Sequence, residues 1–251
     1  MDRSPAPAST SRWQSTFLPL APGPGRRPLR IAVRWTGPPS APAVLCVHGL
    51  TRHGHDFDAL AEAFAGPLRI LTPDLPGRGD SDWCEQAEDY GDRLYLDVLE
   101  AVLQHFDTGP VHWIGTSLGA ALALRMTQRR PQWLRSLVMN DCGAWVDDAP
   151  LADLRVAARE RPGFADLEAA RPYLRARYAE FCIPTEDDWA ALERHALQRE
   201  DDGLLRLRFD PRVVGGGPVP AAVDMGPLWQ AVPCPVPVSY THLTLPTKRI
   251  V

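Results

Sequence analysis

The sequence predicts an α/β fold: a mainly parallel sheet, covered by helices on both faces and interrupted by a helical cap insertion. Three observations carry this. Between residues 43 and 140, short apolar runs alternate with stretches of helical spacing, as in parallel strands joined by helical crossovers. One apolar run ends in Gly115-Thr-Ser-Leu-Gly119, which leads straight into a helical stretch. After Gly143 the period changes to charged helical segments with no buried strand of parallel type among them.

The elements follow in order. Residues 1–12, rich in Ser, Pro and Arg, are expected to be disordered. Trp13–Leu20 and Leu29–Trp35 read as strands split by Pro/Gly turns. Ala43–Val47 is apolar throughout, as a strand buried on both faces would be. Asp56–Phe64 has helical spacing, with Phe57, Leu60 and Phe64 on one face. Leu68–Leu71 is another buried strand, followed by the turn-rich loop Asp74–Asp82. Tyr90–Phe106 reads as an amphipathic helix with Leu94, Val98, Ala101, Val102 and His105 on its apolar face. Val111–Ile114 is a strand, Ser117–Arg129 a helix apolar on most sides, and Leu134–Met139 a strand. In the insertion, Leu151–Arg159, Leu167–Phe181 and Glu186–Arg199 read as helices, the last capped by Thr185 with Asp188 in its first turn. Residues 233–238 begin a further buried strand.

Composition bounds the function. The chain has 251 residues, 45% apolar and 23% charged, enough to bury a substantial core. A net charge of -4 offers no basic field for a nucleic acid. No apolar run reaches the roughly 18–20 residues of a membrane span, and the first 30 residues hold no secretory core. The five cysteines are odd in number and scattered, without a C-x-x-C pair. That favours reduced thiols in a cytoplasmic protein and no structural zinc. No metal set and no cofactor fingerprint is found; the expected partner is a small-molecule substrate, and the oligomeric state is left open.

The chemistry centres on Ser117. A tight strand–turn–helix lifts its hydroxyl above the carboxyl end of the sheet, and Gly115 and Gly119 let strand and helix approach. The alternative is a structural turn that happens to hold serine. An oxyanion formed at Ser117 needs two N–H donors. Leu118 supplies one and Leu50, in the loop after Ala43–Val47, the other. His48 and Gly49 then shape that loop, with His48 structural rather than a general base.

Val44–Thr51, Asp74–Ser81, Gly115–Gly119 and Leu137–Asp141 stand in the order and spacing of the α/β-hydrolase superfamily, and the chain resembles its bacterial members with a helical cap. Asp187-Asp-Trp189, Asp202-Gly203 and Phe209-Asp-Pro211 also look like that group. The resemblance implies a core over 13–144, a cap over 145–230 and a further core strand beginning at 231–238. It also implies a Ser–acid–His triad, with the acid after the strand near Pro235 and the His on a later loop. Beyond Val238 there is no Asp or Glu, and His242 is the one His. Residues 239–251 carry three threonines and Lys248, the single lysine among 27 basic residues. They are expected to be a non-native tail, with the fold truncated before the acid and base and the chain impaired as a catalyst. Asp141, at the end of a strand, is a possible alternative acid or a structural carboxylate. His53 and His55 are expected to face solvent or the cap, His105 and His112 to be packed, and His195 to lie on the surface. Trp83, Trp145, Tyr173, Tyr178 and Trp189 line a pocket or form the cap core.

Two functions remain. One is a serine hydrolase forming an acyl-enzyme on Ser117 with an ester, thioester, lactone or vinylogous C–C substrate. In this superfamily haloalkane and epoxide chemistry uses Asp at that position, which argues against both. The other is a non-catalytic homologue that binds a small molecule under the cap.

Overall fold

Strand burial alone divides the sheet between two helical layers. A computed structural model describes residues 13–21, 23, 27–64, 66–143, 145–147, 156, 160–214 and 222–239. The expectations for residues 1–12, for most of a helix over 151–159 and for 240–251 lie outside these. The core runs β1 (Gln14–Leu20), β2 (Leu29–Thr36), β3 (Ala43–Val47), α1 (Asp58–Ala63), β4 (Arg69–Pro73), α2 (Asp92–His105), β5 (Val111–Thr116), α3 (Leu118–Arg129) and β6 (Leu134–Asn140). The insertion holds β7 (Trp145–Asp147), α4 (Leu167–Arg177), α5 (Glu186–Ala196), β8 (Leu197–Arg199), β9 (Leu205–Leu207) and β10 (Ala222–Asp224); α6 (Gly226–Gln230) and β11 (Val238–Ser239) follow.

Seven strands form one sheet in the order β1-β2-β4-β3-β5-β6-β11. β1 and β2 pair antiparallel, as do β2 and β4. From β4 through β3, β5 and β6 to β11 every pairing is parallel. Successive side chains of a strand point to opposite faces. Val44, Cys46 and Ile70 therefore pack with Phe57 and Ala61 of the α1 region, while Leu45, Val47 and Leu71 join the larger core with α2 and α3. Both faces are covered, so β3 and β4 are buried along their whole length.

The last strand is continued backwards by two prolines. Pro235 and Pro237 lack an N–H, yet their carbonyls accept from Leu137 N–H (3.1 Å) and Met139 N–H (3.0 Å). Ser239 O accepts from Asp141 N–H at 2.9 Å. Prolines fit here because a sheet edge needs bonds on one side only.

The insertion differs from an all-helical cap. The helix expected over 186–199 stops at Ala196, and Leu197–Arg199 pairs with Leu205–Leu207 as a hairpin. The Ala196 carbonyl takes the Arg208 N–H at 3.1 Å, so the returning strand satisfies the helix end and the chain turns extended at Leu197. A second ladder, β7 with β10, joins the two ends of the insertion. The helix expected to Phe181 gives way after Arg177 to a short 3-10 turn and Cys182 at φ 50°. The starts are conventional: Asp166 caps α4 through Ala169 N–H (2.9 Å), and Thr185 caps α5 through Asp188 N–H (3.1 Å). In the core, His105 departs from expectation. It lies exposed at the last turn of α2, edge-on to Phe106, because the helix ends there and Phe106 takes the buried position.

Candidate active site

Ser117 sits between β5 and α3 with φ 50° and ψ -107°, a conformation that costs a non-glycine residue on the order of 1–3 kcal/mol. Backbone bonds hold it there. Its N–H donates to Asn140 O at 2.8 Å, and its carbonyl accepts from Ala120 and Ala121 N–H, each at 3.0 Å. The glycines on either side leave no alternative. A Cβ at Gly119 would stand 2.0 Å from Val47 O, and one at Gly115 would stand 2.4 Å from Ala120 N. The Ser117 side chain is exposed, and its hydroxyl has no hydrogen-bond partner among the described residues.

Facing it is the loop after β3. A Cβ built on Gly49 would lie 3.9 Å from Ser117 Cβ, an ordinary contact, so packing against Ser117 does not by itself demand a glycine at 49. His48 holds this loop through both ring nitrogens. Nε2 accepts from Leu75 N–H (3.0 Å), so the neutral ring carries its proton on Nδ1 and donates to Gly49 O (2.7 Å). Burial, aided by the Arg78 and Arg52 charges, pushes its pKa down to about 3. Arg52 N–H also donates to Gly49 O, at 3.1 Å. A trans peptide is planar, so the Leu50 N–H points away from that doubly held carbonyl. Neither Leu50 N–H nor Leu118 N–H, the first of α3, has an acceptor among the described residues.

The surrounding charges were not legible as partners. Arg52 pairs with Asp56 and lies over the rings of Tyr178 (4.6 Å) and Phe181 (5.8 Å), tying the loop to the insertion. Asp74 accepts from Gly54 N–H (2.7 Å) and Asp80 N–H (2.9 Å) and organises the 74–82 turn. Within that turn Arg78 is fully buried and reaches Leu50 O. A residue-type pattern flags the turn, but no spacing rule reveals that contact. Asp141 follows β6 at φ 50°, next to the Asn140 whose carbonyl holds Ser117.

The remaining histidines divide by position. His53, expected toward solvent or the cap, is 3% exposed, and neither ring nitrogen has a partner among the described residues. Burial, then the neighbouring Arg52 and Arg208, holds its pKa well below the usual range. His55 stacks on His195 of α5 at 3.7 Å, so His195 forms a core-to-cap contact and is not a free surface residue. Its pKa is pushed down to about 4 by burial and by His55. His112 bonds Ser136 at 2.8 Å. His55, Asp58 and His195 bring three donors within 4.8 Å of one another. Parallel stacked rings cannot both aim in-plane lone pairs at one ion, and Arg34 already donates to Asp58 at 2.7 Å, so the group is a ring stack with an ion pair. Among the aromatics, Trp189 is buried under Arg175 in the cap, while Tyr178 faces Arg52. The Trp145 side chain lies outside the described residues.

Comparison with known proteins agrees with this geometry. No helix among the described residues is long and apolar enough to cross a membrane. A 3-hydroxybutyrate-oligomer hydrolase of Cupriavidus necator is 33% identical over 190 residues, covering 73% of this chain and 64% of that protein. A lipase of Mycobacterium tuberculosis is 33% identical over 134 residues, covering 53% of this chain and 50% of the lipase. This chain thus spans between half and two thirds of the length of these two relatives. The solved structure of an alpha/beta hydrolase from Novosphingobium aromaticivorans superposes with a TM-score of 0.78 at 26% identity, covering 92% of this chain and 91% of that one. The model of the alpha/beta hydrolase family matches residues 44–249, and with the elbow, the loop and the sheet order already described, the chain belongs to that family.

Proposed function

We propose that this protein is a serine hydrolase that cleaves an ester-like bond of a small molecule through an acyl-enzyme on Ser117. One observation carries the reading: the exposed Ser117 hydroxyl stands in a strained elbow facing a loop whose Leu50 N–H, like that of Leu118, is unbonded among the described residues. In the proposed reaction Ser117 Oγ attacks the carbonyl carbon. The carbonyl oxygen takes the negative charge and hydrogen bonds from Leu50 and Leu118 N–H. Collapse expels the alcohol, and water then releases the acid. Two unbonded N–H groups suit this chemistry because they need not break other bonds when the charge develops. A relative named for 3-hydroxybutyrate oligomers makes short aliphatic hydroxy-acid esters the first substrate class to try.

Serine needs a base to take its proton. With no partner for the Ser117 hydroxyl among the described residues, the 251-residue chain is expected to turn over slowly. What remains is the roughly 10³–10⁴-fold effect that an oxyanion pocket and binding supply alone. Asp141 is the alternative acid, and Asp141→Asn tests it. The decisive measurement is acylation by a p-nitrophenyl butanoate burst and by the dimer of 3-hydroxybutyrate. Ser117→Ala is expected to abolish the burst and leave at most the slow background that the oxyanion pocket supplies; a burst that survives it overturns the reading. The missing partner also favours a second reading, a non-catalytic binder. Labelling of Ser117 by a fluorophosphonate, even at the slow rate expected without a base, decides for the enzyme, and ligand binding with no labelling on prolonged incubation decides for the binder.

A further inference from the structure

Arg78 carries a charge in a place where charge is costly. Its residue is fully buried, and it forms no ion pair among the described residues. Nε–H donates to Leu50 O at 2.8 Å, and Nη1–H donates to Pro76 O and Tyr95 Oη, each at 2.7 Å. Tyr95 and Tyr90 present their rings at 4.8 and 5.9 Å. Nη2 is buried without a partner among the described residues. Carbonyls, a hydroxyl and ring faces replace water only in part, and a buried ion without a counter-charge costs several kcal/mol before such compensation. A methionine would fill similar space without that cost, so packing does not account for an arginine here.

What the guanidinium touches does account for it. Two peptide groups flank Leu50. The carbonyl of the first, Gly49 O, is held by His48 Nδ1–H and Arg52 N–H. The carbonyl of the second, Leu50 O, is held by Arg78 Nε–H. With one end fixed the loop can still pivot about Leu50; with both fixed it cannot. Arg78 is itself immobile. Its N–H bonds Leu75 O at 3.0 Å, and its backbone forms an isolated bridge with Phe209, just past β9. A planar fork reaches three acceptors at once, which an ammonium on a flexible stem does less well. We infer that Arg78 is a positioning residue for the oxyanion pocket, clamping the Leu50 carbonyl so that the Leu50 N–H stays aimed at Ser117. The buried cation behind the loop also adds positive potential where negative charge develops. This rests on the acyl-transfer reading of Ser117 and Leu50.

The test reads the pocket without requiring turnover. Butaneboronic acid adds Ser117 Oγ to boron, the hydroxyl proton leaves to solvent, and the tetrahedral boronate carries its negative charge where the ester oxyanion would. Butanoate serves as the ground-state comparison. Affinities for both are measured by calorimetry on wild type, Arg78→Met, Arg78→Lys, Tyr95→Phe and Ser117→Ala. Losing one aligned donor costs about 10²–10³-fold in comparable pockets. Arg78→Met is therefore expected to weaken boronate binding by about 100-fold and Arg78→Lys by about 10-fold, with butanoate changed by less than about 3-fold. Wild-type boronate affinity in folded Arg78→Met overturns the proposal, and so does an equal loss for both ligands. If Arg78→Met does not fold, Tyr95→Phe decides, because it removes one acceptor that anchors the fork. A selective loss of about 3-fold supports the proposal, and no selective loss overturns it. If Ser117→Ala binds boronate as well as wild type, or wild type does not bind it, the reading of Ser117 fails. Loss in Ser117→Ala beside an unchanged Arg78→Met removes Arg78 alone.

Discussion

The elbow and the insertion are held together by opposite means. At the elbow, backbone meets backbone: Gly119 against Val47 O, Gly115 against Ala120 N, Ser117 N–H on Asn140 O. In the cap, guanidinium meets carboxylate. Arg171 and Arg175 converge on buried Glu193, and Arg206 bridges Glu200 and Asp202. Steric contact between backbones is short-ranged and fixes atoms to tenths of an ångström. Ion pairs between long side chains tolerate movement and weaken with salt. The elbow that carries Ser117 uses the first, and the insertion uses the second.

A methyl group tests the contrast most severely. Gly119→Ala puts a Cβ into the Val47 carbonyl, which cannot shift without breaking the β3–β5 ladder. Urea unfolding is expected to show a loss of at least about 3 kcal/mol. Gly203→Ala in the cap hairpin meets open space and suffers only from φ +81°. It is expected to cost about 1 kcal/mol. Equal losses would mean that the elbow is no more tightly fixed than the cap.

Acid comes next. His48, His53 and His195 all have depressed pKa values in the folded protein, led in each case by burial. The unfolded chain binds their protons at about pH 6.5 and the folded chain does not, so stability present at neutral pH is lost as pH falls from about 6.5 towards 4. His48 alone contributes about 3 kcal/mol of that loss at pH 4.5. Asp74, raised by burial, acts in the opposite sense: stability that is full below about pH 4 is lost as pH rises through its raised folded value, which offsets part of the histidine slope. Unfolding midpoints between pH 7.5 and 4.5 check the slope. His195→Asn is expected to flatten it by removing one titrating ring, and a flat wild-type profile would refute the assignment.

Glu193→Gln should be milder. It leaves Arg171 and Arg175 facing a neutral amide in place of the carboxylate oxygens that accepted from their Nε–H groups at 3.1 and 3.2 Å. The two arginines remain partly in water and can turn outwards, so the loss is expected near 2 kcal/mol, below that of a fully buried pair. Limited proteolysis is expected to cut the cap sooner while the core stays protected. Simultaneous loss of both would join them into one cooperative unit.

This division also explains what the sequence could reveal. Ala43–Val47 is legible because both faces are covered and every residue is apolar. Ser117 is legible because the strand, the turn glycines and the helix are contiguous. The partners of Arg78, Arg52 and Glu193 come from other elements, and no local period encodes them. His53 reads as facing solvent or the cap because its loop is polar; it is buried, with Arg52 and Arg208 of the insertion among the charges that act on it. The hairpin Leu197–Arg199 with Leu205–Leu207 is too short to overrule the helical spacing that precedes it.

The smallest effect belongs to an exposed cap pair. Asp202 accepts from both terminal nitrogens of Arg206, at 2.8 and 2.7 Å, and also from Leu204 N–H at 3.1 Å. The Arg206 hydrogen bonds and the Leu204 N–H bring its pKa down to about 2, so the carboxylate stays charged from pH 5 to 8 and its contribution is flat in that window. Asp202→Asn removes the charge but keeps an acceptor for Leu204 N–H. Solvent screens what remains of the pair, and Arg206 can still reach Glu200 at 3.2 Å. The expected shift in melting temperature is below about 2 °C at low salt. It should vanish in 1 M NaCl, where the screening length is about 3 Å. A larger shift that persists in salt would mean that Asp202 acts through the Leu204 turn and not through charge. The cap hairpin would then be held by backbone geometry, as the elbow is.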